Sequence, residues 1–378
     1  FGHAGILPKS PVPAYSMTAW PMTPRPTRIA AALLPVALQL AACAGPTYYA
    51  QAIGGHLELM REREPVSQLL AKDGAGLAPE LRQKLELTSE IKAFAVTQLG
   101  LPDNGSYTQF VDTGREAVSW IVVATPEFDL QPRRWCFLFA GCLPYRGYFD
   151  KADADRFAER LAADGLDVAR SPAAAYSTLG WFEDPLLDTM FRSSDERLAA
   201  MIFHELAHQQ LYLRGDADFN ESYASFIEET GVALWLVASG RAERLSGWQR
   251  ERAAARDLDE LVQRTRRALA SVYASQGTPA ARRAQKEAAF AALRETWSGL
   301  VRERWGGVDY FAGWFDGELN NARLALFASY RGGMCAFAAL YRAAGEDMAG
   351  FQALAADRAK LADAARRAWL EQDCEAAQ

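Results

Sequence analysis

The spacing of hydrophobic positions divides the chain into a mixed first half and a helical second half. In the first half, some apolar residues recur at helical spacing, and short runs rich in β-branched and aromatic residues lie between Pro and Gly. The pattern predicts helices over residues 48–63, 79–99 and 152–163, and extended segments over residues 118–123, 135–139 and 166–181. These extended segments predict one small mixed sheet.

From residue 193 onward the pattern is almost wholly helical. Ser193 to Glu196 match a capping box, in which a hydroxyl and a carboxylate satisfy free backbone N–H groups, so a helix is predicted to begin there. Further helices are predicted over residues 219–237, 317–330, 334–344 and 348–372, with a long helical hairpin over 246–304. The expected fold class is α+β, mostly helical, with a C-terminal helical part.

The composition is that of a folded protein without the basic excess typical of nucleic-acid-binding proteins. Of 378 residues, 50% are hydrophobic and 23% charged, and 41 Lys and Arg against 47 Asp and Glu give a formal net charge of −6. Because the chain has no basic excess for a phosphate backbone, DNA and RNA are not expected as partners. No repeat or Pro/Gly-rich linker divides residues 44–378, so we expect a single domain there.

The clearest chemical signal is the sequence His204-Glu205-Leu206-Ala207-His208. On a helix, side chains four residues apart share one face, so both imidazoles can reach one metal ion. Glu205 is rotated by roughly 100° from His204, which puts it beside the metal rather than on it. There it can act as general base towards a water whose pKa a zinc ion has lowered to about 7.

A catalytic zinc ion of this type needs a third protein ligand. The chain has only four histidines, and Leu211 and Arg214 occupy the positions at which the longer motif HExxHxxGxxH has Gly and His. A carboxylate is therefore expected. Glu221 and Glu228 on the next predicted helix both qualify, and spacing alone leaves the choice between them open.

A resemblance to known proteins bears on this choice. Residues 220–226, NESYASF, resemble the stretch of gluzincin metallopeptidases whose Glu is the third zinc ligand. Most of the chain also resembles a bacterial family of predicted zinc aminopeptidases, often lipoproteins, on the segments YYAQAIGGHLEL at 48, GCLPYRGYF at 141, AYSTLGWFEDP at 175, FHELAHQQLY at 203, FNESYASFIEETG at 219 and LNNARLALFASY at 319. The resemblance implies a zincin-like fold, one zinc ion per chain held by His204, His208 and Glu221, and Glu228 as a partner that orients a histidine.

Peptide hydrolysis also needs a group that stabilises the developing oxyanion. Because few histidines remain, a tyrosine is expected, and Tyr330 and Tyr145 are the candidates. Tyr176 begins a segment that we expect to bind an extended peptide by β-augmentation. Glu183 and Asp184 follow this segment and are expected to hold a free amino terminus.

The N-terminal region predicts a location in the cell envelope. Arg25 and Arg28 precede the apolar residues 29–40, and Leu-Ala-Ala-Cys then ends at Cys43, as in the lipobox of bacterial lipoproteins. We therefore expect residues 1–43 to contain a signal peptide and Cys43 to be lipidated, which implies an outer-membrane lipoprotein facing the periplasm. In an oxidising compartment, Cys136 and Cys142 form either a disulfide or two buried thiols.

Together these features predict a zinc-dependent metallopeptidase that acts on peptide substrates, and an aminopeptidase in particular. Two alternatives remain open at this level. One is an endopeptidase, and the other is a non-catalytic lipoprotein in which the gluzincin fold serves as a binding or scaffold module. The Arg- and Glu-rich hairpin over 246–304 is the feature that favours the second alternative.

Overall fold

A computed structural model describes residues 45–72, 76–137, 141–174, 183–327 and 333–371. Three residues with predicted roles, Cys43, Tyr176 and Tyr330, lie outside the described residues, as does the predicted signal peptide. No helix among the described residues has the length and apolar character needed to cross a bilayer.

The described part of the chain is mostly helical, as predicted. Its α-helices are α1 Pro46–Arg61, α2 Val66–Ala71, α3 Pro79–Thr97, α4 Lys151–Ala163, α5 Asp195–Gln210, α6 Ala217–Ala238, α7 Leu245–Ala274, α8 Pro279–Glu303, α9 Ala312–Phe315, α10 Asn321–Phe327, α11 Met334–Ala343, α12 Met348–Ala359 and α13 Asp363–Leu370. Short 3₁₀ helices cover Asp188–Arg192 and Ala242–Arg244.

The strands form three small sheets within the described residues, where the sequence predicted one. Their bounds are β1 Glu64–Pro65, β2 Gln109–Val111, β3 Ser119–Pro126, β4 Trp135–Phe137, β5 Gly141–Leu143, β6 Arg146–Tyr148, β7 Leu166–Ala173 and β8 Leu186–Leu187. The sheet β1-β2-β8 is mixed, because β2 pairs antiparallel with β1 and parallel with β8. The sheet β6-β3-β7 and the hairpin β4-β5 are antiparallel. A disulfide joins Cys136 to Cys142 across the hairpin, which decides between the two states left open above.

The largest apolar core surrounds α5 and α6. Large side chains from both helices, including Phe203 and Tyr223, are fully buried in it together with residues of α3, α11 and α12. A second core lies between α7 and α8 and the segment that follows them, around Trp297. The α+β class with a small mixed sheet is thus confirmed, while the zincin-like fold and the division into domains stay predictions.

Several predicted helix boundaries are wrong; the helix predicted over 317–330, for example, begins only at Asn321 as α10. The cap of α5 is Ser194, whose hydroxyl accepts a hydrogen bond from the N–H of Arg197, and not Ser193. The helix predicted over 348–372 ends at Ala359, and α13 begins at Asp363. The side chain of Arg366 donates to the backbone carbonyl of Leu361 and so stabilises the turn between them.

Candidate metal centre

The candidate site is built on α5 and α6, which pack against each other across a short turn. The turn is fixed by its own side chains. Asp216 caps α6 by accepting a hydrogen bond from the N–H of Phe219, and the buried amide of Asn220 bonds both backbone groups of Leu213. Because these bonds set the register of the two helices, the residues opposite His204 and His208 are determined by a local sequence feature.

Both imidazoles direct their Nε2 atom at the same carboxylate, that of Glu221. The Nε2 atoms of His204 and His208 are 3.1 Å apart. The Glu221 oxygens lie 3.4 Å from the Nε2 atom of His204 and 3.6 Å from that of His208. Ligand atoms of all three residues lie within 4.8 Å of one another, so the structure brings three predicted ligands together.

Glu228 contacts the opposite edge of His204. Its Oε2 atom lies 3.1 Å from the Nδ1 atom of the imidazole. Glu221 and Glu228 therefore face different nitrogens of one ring, and only Glu221 also reaches His208. A carboxylate on the far nitrogen fixes the tautomer and the direction of a ligating histidine, which is the arrangement around many protein-bound zinc ions.

The charges at this centre are strongly coupled. Burial lowers the pKa of His204, but the hydrogen bonds to Glu221 and Glu228 outweigh it and raise the pKa to about 10. Burial and the charge of His204 lower the pKa of His208 to about 4. Although burial raises the pKa of Glu221, its contacts with His204 lower it overall. Positive charge at this point is therefore stabilised by carboxylates on two sides.

The donor set fits a divalent metal ion. Two imidazole nitrogens and one carboxylate are a set that zinc adopts in catalytic sites, where three protein ligands leave a further coordination position for water. The buried Nδ1 atom of His208 has no hydrogen-bond partner within the described residues, so its Nε2 atom is the one that faces other polar groups. The group His204, His208 and Glu221 is thus chemically suited to hold zinc.

Glu205 stands beside this group in an open cleft of about 350 Å³. The cleft is lined by apolar side chains from α5, by Phe311 and by charged side chains from α5, α6 and α7: Arg197, Ala200, Met201, His204, Glu205, Glu228, Arg252 and Phe311. Glu205 is half-buried and interacts electrostatically with His204. The carboxylate of Glu205 and the imidazole of His204 therefore face the same open cleft, whose lining does not include His208 or Glu221.

A comparison of the chain with models of protein families shows the family to which it belongs. Residues 47–370 match the model of a family described as "putative aminopeptidase". The chain belongs to this family. No curated protein and no solved structure matches it. Membership in a peptidase family agrees with the sequence prediction of peptide hydrolysis.

The remaining predicted site residues that the structure describes are Glu183, Asp184 and Tyr145, and they differ in burial and in contacts. Glu183 is exposed and packs so closely over Gly105 that a Cβ atom there would collide with its carboxylate. Asp184 is almost fully buried and accepts a hydrogen bond from Gln209, the residue after His208. The two neighbouring acids therefore separate, and the buried one reaches the helix of the candidate site. Tyr145 is 39% exposed in the loop between β5 and β6.

Tyr107 is a residue with no predicted role whose loop contacts the helix of the candidate site. It is buried, yet its backbone φ of 62° lies in the left-handed region, which costs a bulky residue about 1–2 kcal/mol. Its loop is attached to the candidate site, because Asn104 donates to the Oε1 atom of Gln209 at 2.7 Å and Asp184 accepts from the N–H of Tyr107 at 2.8 Å.

The charge of the predicted general base acts on the hydroxyl of Tyr107. Burial, followed by the charges of Glu205 and Asp184, raises the pKa of the Tyr107 hydroxyl well above its usual value, so the hydroxyl keeps its proton. No described residue hydrogen-bonds to it. No motif surrounds Tyr107 in the sequence, so the sequence carries no signal that would have singled it out.

Proposed function

We propose that this chain is a zinc-dependent peptidase with aminopeptidase activity. One observation carries the proposal: the Nε2 atoms of His204 and His208 and the carboxylate of Glu221 converge at one point, with Glu205 beside them in an open cleft. Family membership supports peptide hydrolysis independently of this geometry. The description of the family leads us to expect a peptide with a free amino terminus as the substrate.

In this proposal His204, His208 and Glu221 hold the ion, and Glu228 orients the His204 ring. A bound zinc ion supplies a Lewis acid and lowers the pKa of water at the site to about 7. The carboxylate of Glu205 takes the proton of the attacking water and later delivers it to the leaving amine. Tyr330, which lies outside the described residues, stays a proposed oxyanion donor, and we propose the protonated hydroxyl of Tyr107 as a second candidate for this role.

The mechanism is tested by Glu205→Gln, which keeps the shape of the side chain and removes the base. We expect kcat/KM on a library of unblocked peptides to fall by about 10²–10⁴-fold. Zinc content should equal that of the wild type, because Glu205 is not a ligand. Glu229→Gln on α6, whose carboxylate binds Arg256, is the matched control and should keep full activity. Full activity in Glu205→Gln contradicts the mechanism.

Aminopeptidase activity is tested by blocking the peptide. An enzyme that recognises a free amino terminus should reject N-acetylated versions of the peptides that it cleaves. Equal rates on acetylated and free peptides contradict the exopeptidase assignment and favour the endopeptidase alternative. Zinc binding without cleavage of any peptide favours the scaffold alternative.

We also propose that Cys43 carries a lipid that attaches the protein to the outer membrane. The support is the lipobox-like sequence Leu-Ala-Ala-Cys at the end of an apolar segment that follows Arg25 and Arg28. Cells expressing the protein and fed a clickable palmitate analogue should label it, and Cys43→Ala should abolish the label. Persistent labelling of Cys43→Ala contradicts this proposal.

A further inference from the structure

Arg252 on α7 is an unusual residue to find beside a metal centre. Its side chain is almost fully buried, and it lines the same cleft as His204 and Glu205. A buried guanidinium is costly unless its donors are paired with carboxylates. The identity of its partners therefore indicates what holds it there.

Two carboxylates and one aromatic ring fix the guanidinium. One terminal nitrogen of Arg252 donates to Glu228 at 2.9 Å, and the other donates to Glu251 at 2.7 Å. The guanidinium carbon lies 4.2 Å from the centre of the Trp248 ring. Glu251 is held in turn by the Nε atom of Arg197 at 2.9 Å. Such paired and stacked contacts hold an arginine in one orientation.

Glu228 connects this arginine to the predicted ligand. Its Oε1 atom accepts from Arg252, and its Oε2 atom lies 3.1 Å from the Nδ1 atom of His204. Each carboxylate oxygen has a separate partner, so the plane of the carboxylate is fixed from both sides. With Nδ1 engaged, the Nε2 atom of His204 is left to face Glu221 and His208.

We propose that Arg252 is a positioning residue of the metal centre, acting through Glu228 to hold the His204 ring in the direction required for metal binding. The inference rests on the proposed function, because it assigns a role towards the same ion. Because Arg252 lies on α7, the helical hairpin of α7 and α8 then contributes to the metal centre. The hairpin that favoured a scaffold alternative in the sequence then supplies a group on which the ion depends.

A purely structural role is the competing explanation, in which Arg252 only ties α7 to α6. The chain offers a matched comparison for this. Arg256, one turn later on α7, binds Glu229 at 2.6 Å, next to Glu228 on α6. This pair also links α7 to α6, but among the described residues Glu229 makes no hydrogen bond or ion pair with either histidine.

The experiment measures the zinc affinity of full-length variants by competition with a chelator of known affinity. Arg252→Gln should weaken zinc binding by about 10–100-fold, the usual effect of losing a partner that orients a ligand. Arg256→Gln should stay within about twofold of the wild type. In a Glu228→Gln background, Arg252→Gln should cause little further loss, because the two residues act in series.

Arg252→Lys covers the case in which Arg252→Gln does not fold. Lysine keeps the charge but lacks the planar fork whose two terminal nitrogens reach Glu228 and Glu251 separately, so zinc affinity should still fall by about tenfold. Arg252 variants that bind zinc as tightly as Arg256→Gln overturn the proposal, even if they are less stable without metal. Absence of zinc binding by the wild type overturns the proposed function as well, so the two failures are distinguishable.

Discussion

Glu221 and Glu228 lie seven residues apart on α6, yet the structure gives them different positions towards His204. Glu221 faces the Nε2 atoms of both histidines, whereas Glu228 faces the Nδ1 atom of His204. Spacing in the sequence left the two residues equivalent. The difference arises from the register of α5 and α6, which the bonds of Asn220 and Asp216 set across the turn.

These positions predict an order of effects on metal binding. Glu221→Gln removes a proposed ligand and should cause the larger loss of zinc affinity. Glu228→Gln should weaken binding by about 10–100-fold. Chelator competition on both purified variants measures the difference. The opposite order, with Glu228→Gln the more severe change, contradicts the assignment of Glu221 as the ligand.

Removing the hydroxyl of Tyr107 is expected to lower activity while leaving the free energy of unfolding almost unchanged. Its hydroxyl makes no hydrogen bond with a described residue, so Tyr107→Phe should change the free energy of unfolding by less than about 1 kcal/mol. If the hydroxyl serves the reacting groups, kcat should fall by about 10²-fold. Peptide kinetics and urea unfolding of one preparation test both expectations.

Tyr273→Phe is the control, because the Tyr273 hydroxyl donates to Asn321 at 2.8 Å in the second core. It should lose about 1 kcal/mol of stability and keep wild-type activity. A Tyr107→Phe variant that is fully active contradicts a role of the hydroxyl in the reaction.

At the scale of elements, α5 owes its position to charges in its first turn. Asp195 is bound by Lys84 of α3 at 2.7 Å and by Arg244 at 3.0 Å. Arg244 also pairs with Glu196 at 2.6 Å. These acids also lie at the helix N-terminus, where the helix dipole favours negative charge. The contacts anchor the start of the helix that carries both histidines.

The charge of Asp195 predicts a dependence of stability on pH. Burial raises its pKa, but the hydrogen bonds from Lys84 and Arg244 lower it overall, below the ordinary 3.8. Asp195 therefore contributes stability above the unfolded-state pKa and loses it as the pH falls through the folded-state pKa.

Asp195→Asn should accordingly cost about 1 kcal/mol at pH 7, and the difference from the wild type should shrink below pH 4. Urea unfolding at a series of pH values tests this. A difference that stays constant down to pH 3 contradicts the contribution of the ionised carboxylate.

The elements also show what sequence patterns can and cannot predict. Periodicity predicted α3, α4, α5 and α6 closely, because each buries one face or carries clear end signals. The predicted cap of α5 was wrong by one residue, because Ser193 and Ser194 are adjacent and each could cap a helix. The ion pairs of Asp195 and Glu196 with distant residues fix where the helix begins. The break before α13 has no Gly or Pro, and it depends on contacts of Arg366 with Leu361 and with Asp216 of a distant turn.

At the scale of the whole molecule, the site joins segments that are far apart in the sequence. The HExxH motif predicted one helix of it, and the resemblance to gluzincins pointed to a residue on the next. Tyr107 and Arg252 reach the site through a loop before β2 and through α7, and neither is marked by a local pattern. In an Ala-, Arg- and Glu-rich helix, a buried arginine has the same appearance in the sequence as a solvated one.

The central claim is that this chain cleaves peptides with one zinc ion held by His204, His208 and Glu221. The most direct measurement is a titration of zinc into chelator-treated protein while hydrolysis of an unblocked peptide is followed. The account predicts no activity without metal and recovery that saturates near one equivalent of zinc per chain. Peptide hydrolysis that persists after complete removal of metal, or zinc-loaded protein that cleaves no peptide, would contradict it.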